Sequence, residues 1–202
     1  ILLGLSVNPK RLGVVKPEIR VLGIDDGRFI PHSKSQVHLV GVVFRGGYWL
    51  EGVMSTTVTV DGMDSTERIS KMVTSSSHYK QLRVIMLNGV TFGGFNIVDI
   101  QKLNRHTGLP VIVVTQKKPC MSEVQAALRN LSNSEARWQT ILNAGELYIM
   151  DAARGKKQLF VEIAGISKEL AQKIISLTST RSNLPEALRV AHLVASGIMC
   201  LE

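Results

Sequence analysis

Cysteine is nearly absent from this 202-residue chain: Cys120 and Cys200 stand far apart, in neither a CxxC nor a Cys/His spacing. Neither a disulfide framework nor a zinc site is suggested, and two buried or idle thiols are expected. No apolar run approaches the ~18 residues that would span a bilayer. Ile1-Leu2-Leu3-Gly4-Leu5 is too short and wrongly flanked for a signal peptide. The expectation is a soluble, cytoplasmic protein without a membrane partner. Internal repeats and low-complexity segments are also missing. What is present is 45% hydrophobic and 20% charged, with a mean hydropathy of +0.14. That is the balance of a compact globular protein, and the length suffices for one well-buried core in a single domain.

The formal charge is +8 and the isoelectric point near 9.7. Surface Lys and Arg raise encounter rates with polyphosphates and release their counterions, which favours an anionic partner. The clusters are small: Lys10-Arg11, Lys117-Lys118 and Arg154-Gly155-Lys156-Lys157. The charge pattern alone does not single out nucleic acid.

The chain is organised around Ile19-Arg20-Val21-Leu22-Gly23-Ile24-Asp25-Asp26-Gly27. A mainly apolar run ends abruptly in two carboxylates and a glycine, as a buried strand does when it delivers charge to a sheet edge. Buried acids are costly unless paired or metal-bound, so such a pair serves a cation or a proton transfer more often than a core. The plain alternative is a turn at Asp26-Gly27 capped by Asp25.

Before this strand, residues 1–18 carry prolines and basic residues without a convincing period and read as a basic N-terminal arm. Residues 19–202 read as one domain. After Asp26, the β-branched run Val37–Phe44 and the hairpin residues Arg45-Gly46-Gly47-Tyr48 lead into a strand from Trp49 to Val60 that stops at Asp61-Gly62. Asp64 and Glu67 have capping-box spacing and open a helix through Ile69, Met72 and Val73. Leu82–Leu87 is a short apolar strand ending at Asn88-Gly89. Val90–Phe95 precedes a helix that Asn96 can cap, with Asp99 in its first turn. Val111–Val114 is a further buried strand, ending at Gln116-Lys117-Lys118. Two helices follow, one capped by Ser122 and one starting at Ser134, then strands over Leu147–Met150 and Gln158–Ala164. The last helices open at Ser167 and near Pro185.

Three antiparallel strands followed by parallel strands with crossover helices is the order of the α/β ribonuclease H-like fold, a mixed sheet with helices on both faces. In that fold the first strand is central beside the fourth, so Asp25 and Asn88 share one edge, with Asp61 reachable from the third strand. Carboxylates gathered there can hold Mg²⁺ through hard oxygen ligands, and the metal can activate water and stabilise a leaving oxygen of a phosphodiester. Asn88 can offer an amide oxygen but no charge.

Ile24-Asp25-Asp26-Gly27, Val43-Phe44-Arg45-Gly46-Gly47-Tyr48-Trp49, Thr91-Phe92-Gly93-Gly94-Phe95-Asn96 and Arg181-Ser182-Asn183-Leu184-Pro185-Glu186 resemble an archaeal family now often labelled endonuclease dU. The likeness runs from Lys16 onward. That family is in turn similar to endonuclease V, and the tail from Leu184 to His192 is similar to the endonuclease V tail. The resemblance implies a metal-dependent endonuclease, using Mg²⁺ or Mn²⁺, that acts on DNA with deaminated bases such as deoxyuridine. It implies that Asp25 is the strand-one metal ligand. Asn88, in Leu87-Asn88-Gly89, falls where the resemblance expects aspartate. Asp61 or Asp64 is the nearest counterpart of the endonuclease V glutamate, and its histidine falls on Ile166.

Other residues carry two readings. Gly93-Gly94 admits a phosphate or flipped base, or is a tight turn. Tyr48-Trp49 wedges into a base stack at a lesion, or packs at a sheet edge. Lys117, with Lys118, contacts phosphate or is a solvated loop. Arg181 and Asn183 are candidate substrate contacts through the resemblance. His192, on a helix rich in Ala, Leu and Val, is expected to be a hydrogen-bonded core histidine, with a catalytic role as the alternative. The alternative function is a non-catalytic nucleic-acid-binding protein with a degenerate metal site; a third is a nucleotide- or small-molecule-binding α/β domain.

Overall fold

The computed structural model describes residues 13–152 and 157–198. Strand β1, Arg20–Asp26, lies in the interior of a seven-stranded sheet. Its apolar run is nearly continuous because helices cover both sheet faces. Leu22 and Ile24 point into one core cluster and Val21 into the other. Burying each such aliphatic side chain stabilises the fold by about 1.5–3 kcal/mol.

β2, Gln36–Arg45, pairs antiparallel with β1, and β3, Trp49–Thr59, pairs antiparallel with β2 at the open edge. β4, Val84–Asn88, and β7, Val111–Thr115, run parallel to β1. β5, Thr91–Phe92, and β6, Asn96–Ile97, form a separate small hairpin. β9, Gln158–Ala164, adds antiparallel to β7, and β8, Tyr148–Asp151, closes the far edge. The order β3-β2-β1-β4-β7-β9-β8 is the expected ribonuclease H-like sheet, lengthened by two antiparallel strands.

Helices α1, Ser65–Thr74, and α2, Ile100–Thr107, cover one face through Ile69, Val73, Ile100 and Leu103. α5, Lys168–Thr178, and α6, Glu186–Ile198, cover the other through Ile174, Ile175, Leu188 and Ala191. α3, Met121–Leu128, and α4, Ser134–Leu142, build a small satellite cluster with Ile97. Glycine in mid-strand normally weakens a strand, yet Gly23 is needed: a Cβ there would lie 2.3 Å from the Ala187 carbonyl carbon. α6 therefore crosses β1 almost backbone to backbone.

Several local expectations change. Asp64 flanks α1 without capping it through its side chain. Its carboxylate instead accepts from Thr59 N and Asn96 Nδ2, while Asn96 Oδ1 accepts from Ser65 N and so serves the start of α1. α2 is capped by Asp99, whose Oδ1 accepts from Lys102 N. Cys120, rather than Ser122, occupies the N-cap of α3, and its thiol is exposed. Of the expected arm, residues 1–12 lie outside the described residues, while Val15 is buried in the core. Cys200 and the basic positions Arg154 and Lys156 also lie outside them. Among the described residues no helix is long and apolar enough to cross a membrane.

Candidate active site

Parallel pairing sets Ile24 of β1 opposite Leu87 of β4, so the next residues, Asp25 and Asn88, emerge together at the carboxyl ends of the strands. Side chains alternate along each strand, and both of these point to the α6 face. Asp25 is only 3% exposed. Its Oδ2 accepts from Asn88 Nδ2 at 2.9 Å and lies 2.8 Å from His192 Nδ1; its Oδ1 accepts from the Asp26 amide at 3.0 Å. Burial pushes the Asp25 carboxyl above its ordinary range, against the pull of these hydrogen bonds.

Asp26 points to the opposite face, where its Oδ2 accepts from Gly93 N at 2.6 Å. Burial pushes its pKa up to about 6, and the neighbouring Asp25 charge adds to the rise. Both carboxylates border an open depression of about 410 Å³, together with Arg28, Asn88, His192 and Ser196. An acid pair, an amide, an imidazole and a guanidinium thus converge at one sheet edge.

His192 corrects the sequence reading, because it is not a core histidine: its side chain is 63% exposed and faces Asp25. α6 buries Leu188, Ala191 and Ala195, and His192 borders that stripe one turn after Leu188. A helix-face plot would have placed it at the rim. With its proton on Nδ1 the neutral ring donates to Asp25 and keeps a basic lone pair on Nε2. Arg28, two residues after Asp26, also borders the site and carries no signal in the sequence beyond its charge.

Asp61 sits at the same sheet end but beside β3, two strand spacings from β1, or roughly 10 Å. Its carboxylate accepts from Phe95 N at 2.9 Å and meets His32 Nδ1 at 3.1 Å, and its backbone is left-handed, with φ 52°. It staples the β5–β6 loop and does not border the depression. Asp64 is likewise committed. Burial pushes its carboxyl up, but hydrogen bonds from Asn96 and Thr59 outweigh this and hold it below its ordinary range. Ile166 packs partly buried against the core under α5 and α6.

Gly93 and Gly94 form the β5–β6 turn, with φ of 54° and 84°. A Cβ on Gly94 would lie 2.3 Å from Asp61 Oδ1, so the turn itself demands glycine. This turn nevertheless holds Asp26 through the Gly93 amide. Buried Arg137 fixes it further, donating to the carbonyls of Asp61, Gly62 and Phe95. Lys117 and Lys118 are exposed just beyond β7, at the same sheet end as Asp25.

The Tyr48-Trp49 tip lies elsewhere. Arg20 pairs with Arg45 and Asp26 with Leu39, so the β2–β3 tip is at the opposite end of β1, roughly 20 Å from Asp25. There Trp49 stacks with the Arg45 guanidinium, 5.9 Å from the ring centroid. Thr180 donates to the Gly47 carbonyl, which brings the start of the Arg181–Asn183 segment to that far end as well.

Whether the donors suit a metal follows from their chemistry. Among the described residues no group of three or more His, Cys, Asp or Glu side chains is arranged around a metal position. A closed structural site is therefore not built here. Two carboxylates and an amide at an open edge do suit Mg²⁺, which keeps several waters and takes its remaining ligands from substrate phosphates. Asp25 and Asn88, turned to present its oxygen, would hold it from the α6 face, with Asp26 at the rim of the same depression.

The strand order, and this polar edge at the carboxyl end of β1, define a ribonuclease H-like fold of the endonuclease V kind. Endonuclease V from Ciona intestinalis, in complex with inosine-containing DNA, superposes with a TM-score of 0.59 at 15% identity, over 91% of this chain and 87% of that one. Residues 17–199 match the family model for endonuclease dU, and the chain belongs to that family. A UPF0215 protein of Methanosarcina acetivorans is 51% identical over 92% of this chain and 93% of its own length. A crystal structure of a protein from Archaeoglobus fulgidus, described as of unknown function, shares 38% identity and a TM-score of 0.80, over 89% of this chain and 98% of that one.

Proposed function

We propose that the protein is a metal-dependent endonuclease that nicks DNA carrying deaminated bases, deoxyuridine among them. The observation that carries the reading is the buried Asp25, held between Asn88 and His192 at the rim of an open, polar depression in a chain of the endonuclease dU family. A buried carboxylate with two side-chain donors aimed at it is a costly arrangement for stability alone.

Bound Mg²⁺ or Mn²⁺ would supply Lewis-acid stabilisation and a more acidic water. The chain does the rest. Asp25 and Asp26 provide anionic oxygens, and His192 fixes the orientation of Asp25 and offers Nε2 for a proton. Arg28 offsets the charge of an approaching phosphate. The turn at Gly93 holds Asp26 in place.

The test is nicking of labelled duplexes with one deoxyuridine or deoxyinosine, in Mg²⁺ and in Mn²⁺, by the unaltered protein and by Asp25→Ala. Metal-dependent nicking that disappears in Asp25→Ala supports the reading. Tight binding to lesion DNA with no nicking in either metal would instead favour a binding protein on the same fold. Asn88, which spends its amide on Asp25 and adds no charge, is the observation behind that second reading.

A further inference from the structure

The loop between β1 and β2 begins immediately after the acid pair and has no acidic residue from Gly27 to Gln36. Arg28 borders the depression, and Lys34 is exposed. Between them Ile30 is 74% exposed, among the highest values for a large apolar side chain in the described residues. The loop is nonetheless anchored. Phe29 packs against the core, His32 meets Asp61 at 3.1 Å, and the Ser35 carbonyl accepts from Val60 N at 2.8 Å. His32 and Lys34 hold left-handed backbone, with φ of 61° and 54°, a conformation that costs energy in residues other than glycine. An exposed isoleucine followed by proline is thus presented from an anchored loop, between two cations in sequence, directly after the strand that carries the carboxylates.

Resting on the nuclease reading above, we propose that Ile30-Pro31 is the wedge that enters the base stack of a DNA duplex at a weakened base pair, with Arg28 and Lys34 on the flanking phosphates. Apolar wedges of this kind unstack a step and kink the duplex, and isoleucine and proline are among the residues used. A deaminated or mismatched base lowers the cost of opening, so the wedge would select for damage without reading a base edge. Tyr48-Trp49, at the opposite end of β1 and roughly 20 Å from Asp25, is too distant for the base step next to a phosphate held there.

The probe is a duplex with 2-aminopurine next to a single deoxyuridine, whose fluorescence rises on unstacking; anisotropy on the same duplex reads binding. The unaltered protein is expected to raise the fluorescence. Ile30→Gly should abolish that rise and cut the preference for lesion over intact duplex by about tenfold. Lys34→Gln should weaken binding to both duplexes and lower the salt slope by about one. Trp49→Ala should keep the fluorescence rise. The wedge is overturned if Ile30→Gly keeps both the rise and the preference, or if Trp49→Ala is the variant that loses them. Such a result with metal-dependent nicking intact leaves the nuclease reading standing. An unaltered protein that binds neither duplex overturns both.

Discussion

His192 Nδ1 lies 2.8 Å from Oδ2 of Asp25, so α6 supplies a side chain to the end of β1 across 167 positions of sequence. The carboxylate is buried and the imidazole mostly exposed, which fits an orienting and proton-handling group better than a stabilising ion pair. Histidine-to-alanine at this position is therefore expected to leave the melting temperature within a few degrees and lower the nicking rate about 10- to 100-fold, as removal of an outer-shell partner of a metal ligand does. His192→Gln, which can still donate to Asp25, should recover the orientation but not the proton transfer. A His192→Ala rate equal to that of the unaltered protein would remove the histidine from the mechanism.

Asn88→Asp tests the metal assignment in both directions. Without divalent ion, the Nδ2–H donor to Asp25 is lost and a second carboxylate faces the first, at a cost of about 1–3 kcal/mol. The expected melt in chelator is roughly 2–10 °C lower. Mg²⁺ should restore it by binding the native state, and nicking should need less Mg²⁺. If Mg²⁺ fails to restore the melt, no cation sits between these two strand ends.

The acid-terminated strand, the antiparallel opening and the following parallel crossovers were legible from apolar runs and turn residues, and they placed Asp25 beside Asn88. Antiparallel topology alone sends the β2–β3 tip away from the carboxyl end of β1, so the separation of Tyr48-Trp49 from Asp25 was already implied by the element order. Asp61 is at the same sheet end as Asp25, and its carboxylate is engaged by Phe95 N, a long-range bond with no local signal. The partner of Asp25 was hidden for a different reason: composition marked α6 as a core helix, whereas exposure is decided residue by residue around its circumference. The long-range bonds of Asn96 and Asp64 left no signal that local capping rules could read.

Glu162 predicts a pH effect on stability unrelated to the site. It lies on β9 opposite Val113, and burial alone pushes its pKa up to about 7 from 4.5. The folded state thus holds this proton at pH values where the unfolded chain has released it. Below about pH 4.5 both states are protonated and nothing is lost. Between about 4.5 and 7 stability falls as pH rises, by up to about 3 kcal/mol, and the full penalty stays above pH 7. Glu162→Gln should melt higher than the unaltered protein at pH 8 and the same at pH 4, with nicking unchanged. Equal melting at pH 8 would mean that the carboxylate is well solvated in the fold.

Gly23→Ala links the packing of α6 to the site. The added methyl would lie 2.3 Å from the Ala187 carbonyl carbon and 2.5 Å from its oxygen, and these are backbone atoms that cannot rotate away. α6 must move off β1, at a cost of about 1–3 kcal/mol or more from overpacking. The same displacement draws His192, five residues further along α6, away from Asp25. The variant is therefore expected to lose melting temperature and nicking together, with the rate falling at least as far as in His192→Ala. In a Gly23→Ala, His192→Ala double variant the second substitution should then cost almost nothing further in rate, because the contact it removes is already broken. Fully additive losses in rate would show that α6 shifts without disturbing the Asp25–His192 contact.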